Sequence, residues 1–279
     1  IKAAARKLSD TTITQPAILT ANIAMLRLMQ KFNIHPDMLI GHSLGEYAAL
    51  VASEAITFKE GLEVVSARGR AMASLEVEDN GTMAAVSAPI DTVEEVLATI
   101  DGYVILANIN SPVQCVIGGA TNAVDKAVAA FEEAGIRAVK IPVSHAFHTR
   151  IVAPASDILR AMLEKIDLKP PRLPIAANVT GQLYPNTRAE MLELLSAHIA
   201  SSVQFVKGVQ TLYDNGCRIY IEAGPKRVLS SLSRDILKDY PDVTAVATNH
   251  GRKGGVASFH EALCSLYACL LYTSDAADE

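Results

Sequence analysis

Tryptophan is absent from the 279 residues, and aromatic side chains together make up only 5% of them. The core must therefore close on aliphatic and small side chains, and the abundance of alanine suits helices packed tightly on a sheet. Cysteine is scarce: Cys115, Cys217, Cys264 and Cys269 show neither metal-ligand spacing nor a disulfide framework. They read as small buried apolar groups in a reduced, cytoplasmic protein. No apolar run reaches the ~18 residues that cross a bilayer, so no membrane partner is expected. No signal-peptide pattern opens the chain. Basic excess is missing as well, since Lys+Arg 25 against Asp+Glu 30 leaves a formal net charge of −5. That balance carries no electrostatic footprint for nucleic acid. Internal repeats and low-complexity linkers are also absent.

The first residue is not methionine, and Ile1–Leu8 reads as the middle of a basic helix. At the other end, Cys269–Asp278 resembles the translation of a sequencing-library adapter, so residues 269–279 read as an artefactual tail. The chain reads as a fragment of a longer reading frame. Half of its residues are hydrophobic, which provides for a sizeable core.

The most informative run is Gly41-His42-Ser43-Leu44-Gly45. Asp37–Ile40 before it reads as a short strand and Glu46–Ala52 after it as a helix. A serine between glycines at a strand-to-helix turn is a nucleophile elbow, with the glycines giving room for the bend. Upstream, Gln15–Lys31 reads as a helix with Pro16 in its first turn. Downstream, Thr57-Phe58-Lys59-Glu60 is a capping box that starts a helix to about Leu75. Residues 77–143 then follow the order βαββαβ, a ferredoxin-like small subdomain inserted in a larger α/β unit. The remaining alternation predicts a parallel sheet with helices on both faces. The expected division is 1–76 and 144–248 for the large subdomain, 77–143 for the small one, and 249–268 for a linker and helix.

A nucleophilic serine needs a base, and histidine suits that role near neutrality. In His145-Ala146-Phe147-His148, His148 lies at the junction of the inferred subdomains, where a cleft should open; position alone leaves His145 as a competitor. A third feature is Arg68, which helical spacing places with Gly61, Val64, Met72 and Leu75 on the apolar face. An arginine there either snorkels to water or pairs with something buried. Without a protein carboxylate, the partner would be a substrate carboxylate. A serine esterase, with Asp242 and His250 completing a late acid and base, is one competing reading. A non-catalytic docking module is another.

The run 41–50, together with Thr14-Gln15-Pro16-Ala17, Arg68-Gly69-Arg70-Ala71-Met72, Asn110-Ser111-Pro112 and Glu222-Ala223-Gly224-Pro225, resembles malonyl-CoA:acyl carrier protein transacylases. It is equally similar to the acyltransferase domains of polyketide and fatty-acid synthases. The resemblance implies an α/β-hydrolase-like core with a ferredoxin-like insert. It matches Ser43 to the acylated nucleophile and settles the choice of base on His148. Arg68 matches the residue that binds the malonyl carboxylate, and Gln204 the position that orients the histidine. Leu44 matches an oxyanion-hole N–H, and Phe147 the residue filling the space of a methylmalonyl branch. No cofactor is implied, coenzyme A and the carrier protein being substrates. An acyl carrier protein is the implied partner, with a ketosynthase among neighbouring domains. The family also begins with a central strand and a loop giving a second oxyanion donor. This chain starts after them, so it is expected to fold poorly and to be inactive alone.

Overall fold

The structure, a computed structural model, describes residues 10–274. Asp10 accepts the Thr12 N–H at 2.9 Å and caps helix α1 (Thr11–Gln30). The cap starts the helix ahead of Gln15 and leaves Pro16 inside it rather than in its first turn. Strand β1 (Leu39–Ile40) leads through the serine turn into α2 (Gly45–Ala52). The expected capping box is formed: Thr57 Oγ1 accepts the Glu60 N–H at 3.2 Å, and Glu60 Oε2 accepts the Thr57 N–H at 2.8 Å. It opens α3 (Phe58–Ala73), which buries Gly61, Val64, Arg68 and Met72 and leaves Lys59, Glu63 and Arg70 exposed.

The next elements are β2 (Thr82–Ser87), α4 (Ile90–Ala98), β3 (Val104–Ser111), β4 (Gln114–Gly119), α5 (Thr121–Glu133) and β5 (Arg137–Ile141). Their strands form one antiparallel sheet in the order β3-β4-β2-β5. Ala84 sits between Ile117 and Lys140 in that register. Helices α4 and α5 close one face over Val86, Ile117, Val124 and Phe131. The other face packs Met83, Ala107 and Val116 against Ala146 and Phe147.

After that come α6 (Pro154–Leu163), β6 (Ile175–Ala176), α7 (Arg188–Ala197) and α8 (Phe205–Asp214). They are followed by β7 (Ile219–Glu222), α9 (Val228–Ile236), β8 (Thr244–Ala247) and α10 (Gly255–Ser274). Helices α1, α2, α3, α6 and α7 share a core built on Leu19, Leu50, Val65, Leu159 and Leu195. A second core joins Phe205 and Val209 of α8 to Leu232 and Ile236 of α9.

The parallel strands differ from expectation. Instead of one continuous sheet there are two pairs, β1 with β6 (Leu39↔Ile175) and β7 with β8 (Ile219↔Thr244). A groove of about 640 Å³ lies between them, lined by residues of β1 and β7. Each of those strands pairs on one side only among the described residues, which keeps the pairs separate. Helix α10 also differs: it continues through Cys269 to Ser274, into the stretch assigned to a tail. Ala262 and Leu266 pack it on Val246 of β8, whereas residues 1–9 and 275–279 lie outside the described residues. Among the described residues no helix is long and apolar enough to cross a membrane.

Candidate active site

The elbow is a backbone construction. A Cβ on Gly41 would meet the Gly45 carbonyl carbon at 2.0 Å and the Glu46 nitrogen at 2.1 Å, so only glycine lets the chain fold back on α2. Gly45 is different, because a Cβ there would meet nothing. The bend places Ser43 in the left-handed region, at φ 51°. Such a conformation persists only where surrounding contacts over-determine it. Those contacts come from Asn178, just past β6. Its Oδ1 accepts the Ser43 N–H at 2.5 Å and its Nδ2 donates to Gly41 O at 2.7 Å.

Ser43 Oγ lies 2.7 Å from His148 Nε2. The other ring nitrogen of His148 lies 3.1 Å from Ser201 O and 3.2 Å from His198 O. Both partners are acceptors, so Nδ1 carries the proton and Nε2 presents its lone pair to Ser43 Oγ. These carbonyls are available because α7 tightens into a 3₁₀ turn at His198–Ala200, and the last carbonyls of a helix lack intrahelical partners. Gln204 therefore does not orient the histidine as the resemblance implied. Its N–H donates to Asn178 O at 2.7 Å, and its Oε1 is buried without a hydrogen-bond partner. Burial, then the neighbouring His198, Arg68 and His42, hold His148 well below the ordinary histidine value. The resting imidazole is neutral and able to take a proton.

Arg68 reaches the same point from α3. It is 3% exposed, donates from Nη1 to Gln15 Oε1 at 2.8 Å, and directs Nη2 at Ser43 Oγ, 3.4 Å away. Its Nε has no partner, and it forms no ion pair among the described residues. Burial lowers its pKa, against the opposing influence of Tyr47 and Glu46. The result is a desolvated guanidinium aimed at the serine, with no carboxylate at ion-pair distance among the described residues. Gln15 can reach it because α1 approaches α3 at Gly69, where a Cβ would meet Thr11 O at 2.7 Å.

These groups open on a cavity of about 290 Å³ whose lining also includes Gln15, His42, Met83, Val143 and Phe147. His42 Nε2 donates to Asn110 Oδ1 at 2.7 Å, which ties the elbow to β3. Leu44 is the N-cap residue of α2, and its N–H makes no hydrogen bond among the described residues. His145, the competing base, is buried with Nδ1 against Ser144 Oγ at 3.1 Å, away from the serine. Asp242 and His250 are not joined. Asp242 pairs with Arg218 at 2.6 Å, and His250 accepts the Arg252 N–H. Lys207, Lys226 and Arg227 are exposed. No cluster of three or more His, Cys, Asp or Glu side chains suited to a metal occurs among the described residues.

Sequence reasoning brought Ser43, His148, Arg68 and Phe147 together but missed Asn178. A lone asparagine after a short strand carries no signal of its own, although Gln15 and Asn110 lay within the matched motifs.

A protein-family model described as acyl transferase domain matches residues 1–266. The chain is 35% identical over 237 residues to the malonyl CoA-acyl carrier protein transacylase of Bacillus subtilis, covering 83% of this chain and 74% of that protein. It is 32% identical over 248 residues to the spectinabilin polyketide synthase system protein NorB of Streptomyces orinoci, covering 88% of this chain but 11% of that one. Among solved structures, malonyl CoA-acyl carrier protein transacylase from Clostridium perfringens superposes with a TM-score of 0.86 at 32% identity, over 96% of this chain and 83% of that one. The acyltransferase domain from the second module of the salinomycin polyketide synthase gives 0.83 at 30% identity, over 92% and 60%.

Proposed function

The chain belongs to the acyl transferase domain family, and from that membership and the geometry at Ser43 we propose that it moves a malonyl group from coenzyme A to the phosphopantetheine thiol of an acyl carrier protein. The observation that carries the malonyl assignment is Arg68, a buried guanidinium with no ion-paired carboxylate among the described residues, 3.4 Å from the serine oxygen. A bound carboxylate supplies the missing counter-ion bidentately, whereas an acetyl group leaves the cation buried and unpaired.

The reaction runs in two halves. Ser43 Oγ attacks the thioester carbonyl while His148 Nε2 takes its proton, and the Leu44 N–H faces the developing oxyanion. Collapse breaks the carbon–sulfur bond, and the proton on His148 goes to the departing coenzyme A thiolate. Malonyl remains as an ester on Ser43 with its carboxylate on Arg68. The carrier-protein thiol then gives its proton to His148 and attacks the ester. The second collapse returns the proton to Ser43. The Ser201 and His198 carbonyls stabilise the imidazolium in both halves. Phe147, at the cavity wall, disfavours a branched acyl group. The scheme calls on no cofactor beyond these substrates.

The finer architecture belongs to the same reading. The βαββαβ order and the β3-β4-β2-β5 sheet support a ferredoxin-like small subdomain. An α/β-hydrolase-like core would place a further parallel strand in the groove between β1 and β7. The partners proposed are a carrier protein and, in a synthase, neighbouring domains such as a ketosynthase. The direct test is incubation with malonyl-CoA followed by intact mass. An ester adduct lost in Ser43→Ala is expected; a protein shown by circular dichroism to be folded that forms no adduct, or persistence of the adduct in Ser43→Ala, overturns the reading.

A further inference from the structure

Behind the serine and histidine lies a carboxylate that the proposed reaction does not use. Glu46, in the first turn of α2, is fully buried, and no lysine or arginine forms an ion pair with it among the described residues. Burial of a carboxylate is costly unless hydrogen bonds and charge compensate it. Here Tyr184 O–H donates to Oε1 and the Asn178 backbone N–H donates to Oε2 at 2.8 Å. His198 Nε2 lies 3.5 Å from the same Oε2, in contact but without a hydrogen bond.

Two of these partners each lead to one half of the reactive pair. Asn178 holds the elbow, through Ser43 N–H at 2.5 Å and Gly41 O at 2.7 Å. His198 holds the base, its carbonyl accepting from His148 Nδ1 at 3.2 Å and its ring lying edge-on to the His148 ring with centroids 5.7 Å apart. The segment after β6 and the turn after α7 thus meet at one side chain. We propose that Glu46 is a positioning residue: it fixes Ser43 through Asn178 and His148 through His198, and so sets the distance between nucleophile and base. The proposal rests on the reading of Ser43 and His148 as nucleophile and base, not on the identity of the acyl group.

The test uses the full chain and a substrate-independent probe, phenylmethylsulfonyl fluoride, with Ser43 labelling followed by intact mass and the folded fraction measured by circular dichroism. Glu46→Asp withdraws the carboxylate by one methylene. Its maximal labelling rate per folded molecule should fall about 10²-fold, the scale of a small misplacement of reacting groups, with half-saturation unchanged. Glu46→Gln keeps the length, an acceptor for Asn178 and a donor for the Tyr184 oxygen, and should stay within about threefold, the worth of one ordinary hydrogen bond. A folded Glu46→Asp that labels at the wild-type rate overturns the proposal, as does a Glu46→Gln that falls equally far. Should Glu46→Asp not fold, Tyr184→Phe removes one donor to Glu46 and touches neither Ser43 nor His148. It should slow labelling about tenfold, and a wild-type rate overturns the proposal. Failure to label wild-type Ser43 removes the nucleophile reading and this proposal together, whereas a labelled wild type with unaffected variants removes only the proposal.

Discussion

Arg68 holds a guanidinium at 3% exposure between Gln15 Oε1 and Ser43 Oγ. A buried charge of that kind discriminates by what it is left without, since truncating one partner of a buried charged pair costs about 2–5 kcal/mol. Arg68→Ala should therefore lower the malonyl-to-acetyl rate ratio by about 10²-fold, read by competition between the two thioesters. His148 makes a second prediction. Its pKa is held well below the ordinary 6.5 by burial and then by His198, Arg68 and His42. The base is thus unprotonated through neutrality, and the acid limb of Ser43 acylation should fall well below pH 6.5; a limb at or above it contradicts the geometry. Arg68 was legible in the sequence because helical spacing alone places it on the apolar face of α3. Its lack of a directly paired carboxylate was not legible, because that depends on which side chains arrive from α1 and α2.

The strand–turn–helix around Ser43 shows what a motif hides at the scale of an element. In sequence, Gly41 and Gly45 are equivalent punctuation. In the fold, a methyl group on Gly41 would overlap the backbone of Gly45 and Glu46 at 2.0–2.1 Å, whereas one on Gly45 meets nothing. Gly41→Ala should leave little folded protein, because rigid backbone rather than a mobile side chain stands in the way. Gly45→Ala, at the first residue of α2, should shift the urea midpoint by no more than the equivalent of about 1 kcal/mol. Comparison of the two denaturation curves checks both. The α3 capping box, in contrast, was fully legible, since its donors and acceptors lie within four consecutive residues. The end of α7 was not: the 3₁₀ turn that frees the His198 and Ser201 carbonyls depends on docking against His148, fifty residues away in sequence.

For the molecule as a whole, the site lies where the antiparallel sheet meets the helical layers. Val203 N donates to Ala107 O and Ile109 N to Val203 O, both at 2.9 Å, so β3 is joined to the segment carrying the carbonyls that hold His148. Function and stability are consequently linked through buried histidines. His42 and His148 are both lowered from the ordinary value, chiefly by burial. The unfolded chain protonates these groups first, so it binds more protons in the window below pH 6.5, and stability is lost as pH falls through that window. Urea midpoints should decline from about pH 7 to about pH 5.5, and a Ser43→Ala protein should decline likewise, because the effect belongs to burial and not to catalysis.

Local chemistry was determined by the sequence itself: a serine on a glycine turn, an arginine on an apolar helical stripe, and a histidine after the last strand of the small sheet. Each reading depended on residues within about two helical turns, where backbone geometry dictates spacing. Only the tertiary structure decided that His148 is oriented by carbonyls rather than by Gln204, and that the parallel strands stand as two pairs. It also decided that Asn178 and Glu46 brace the elbow. Those features come from groups between 25 and 138 residues apart, brought together by burial that leaves no trace in local pattern.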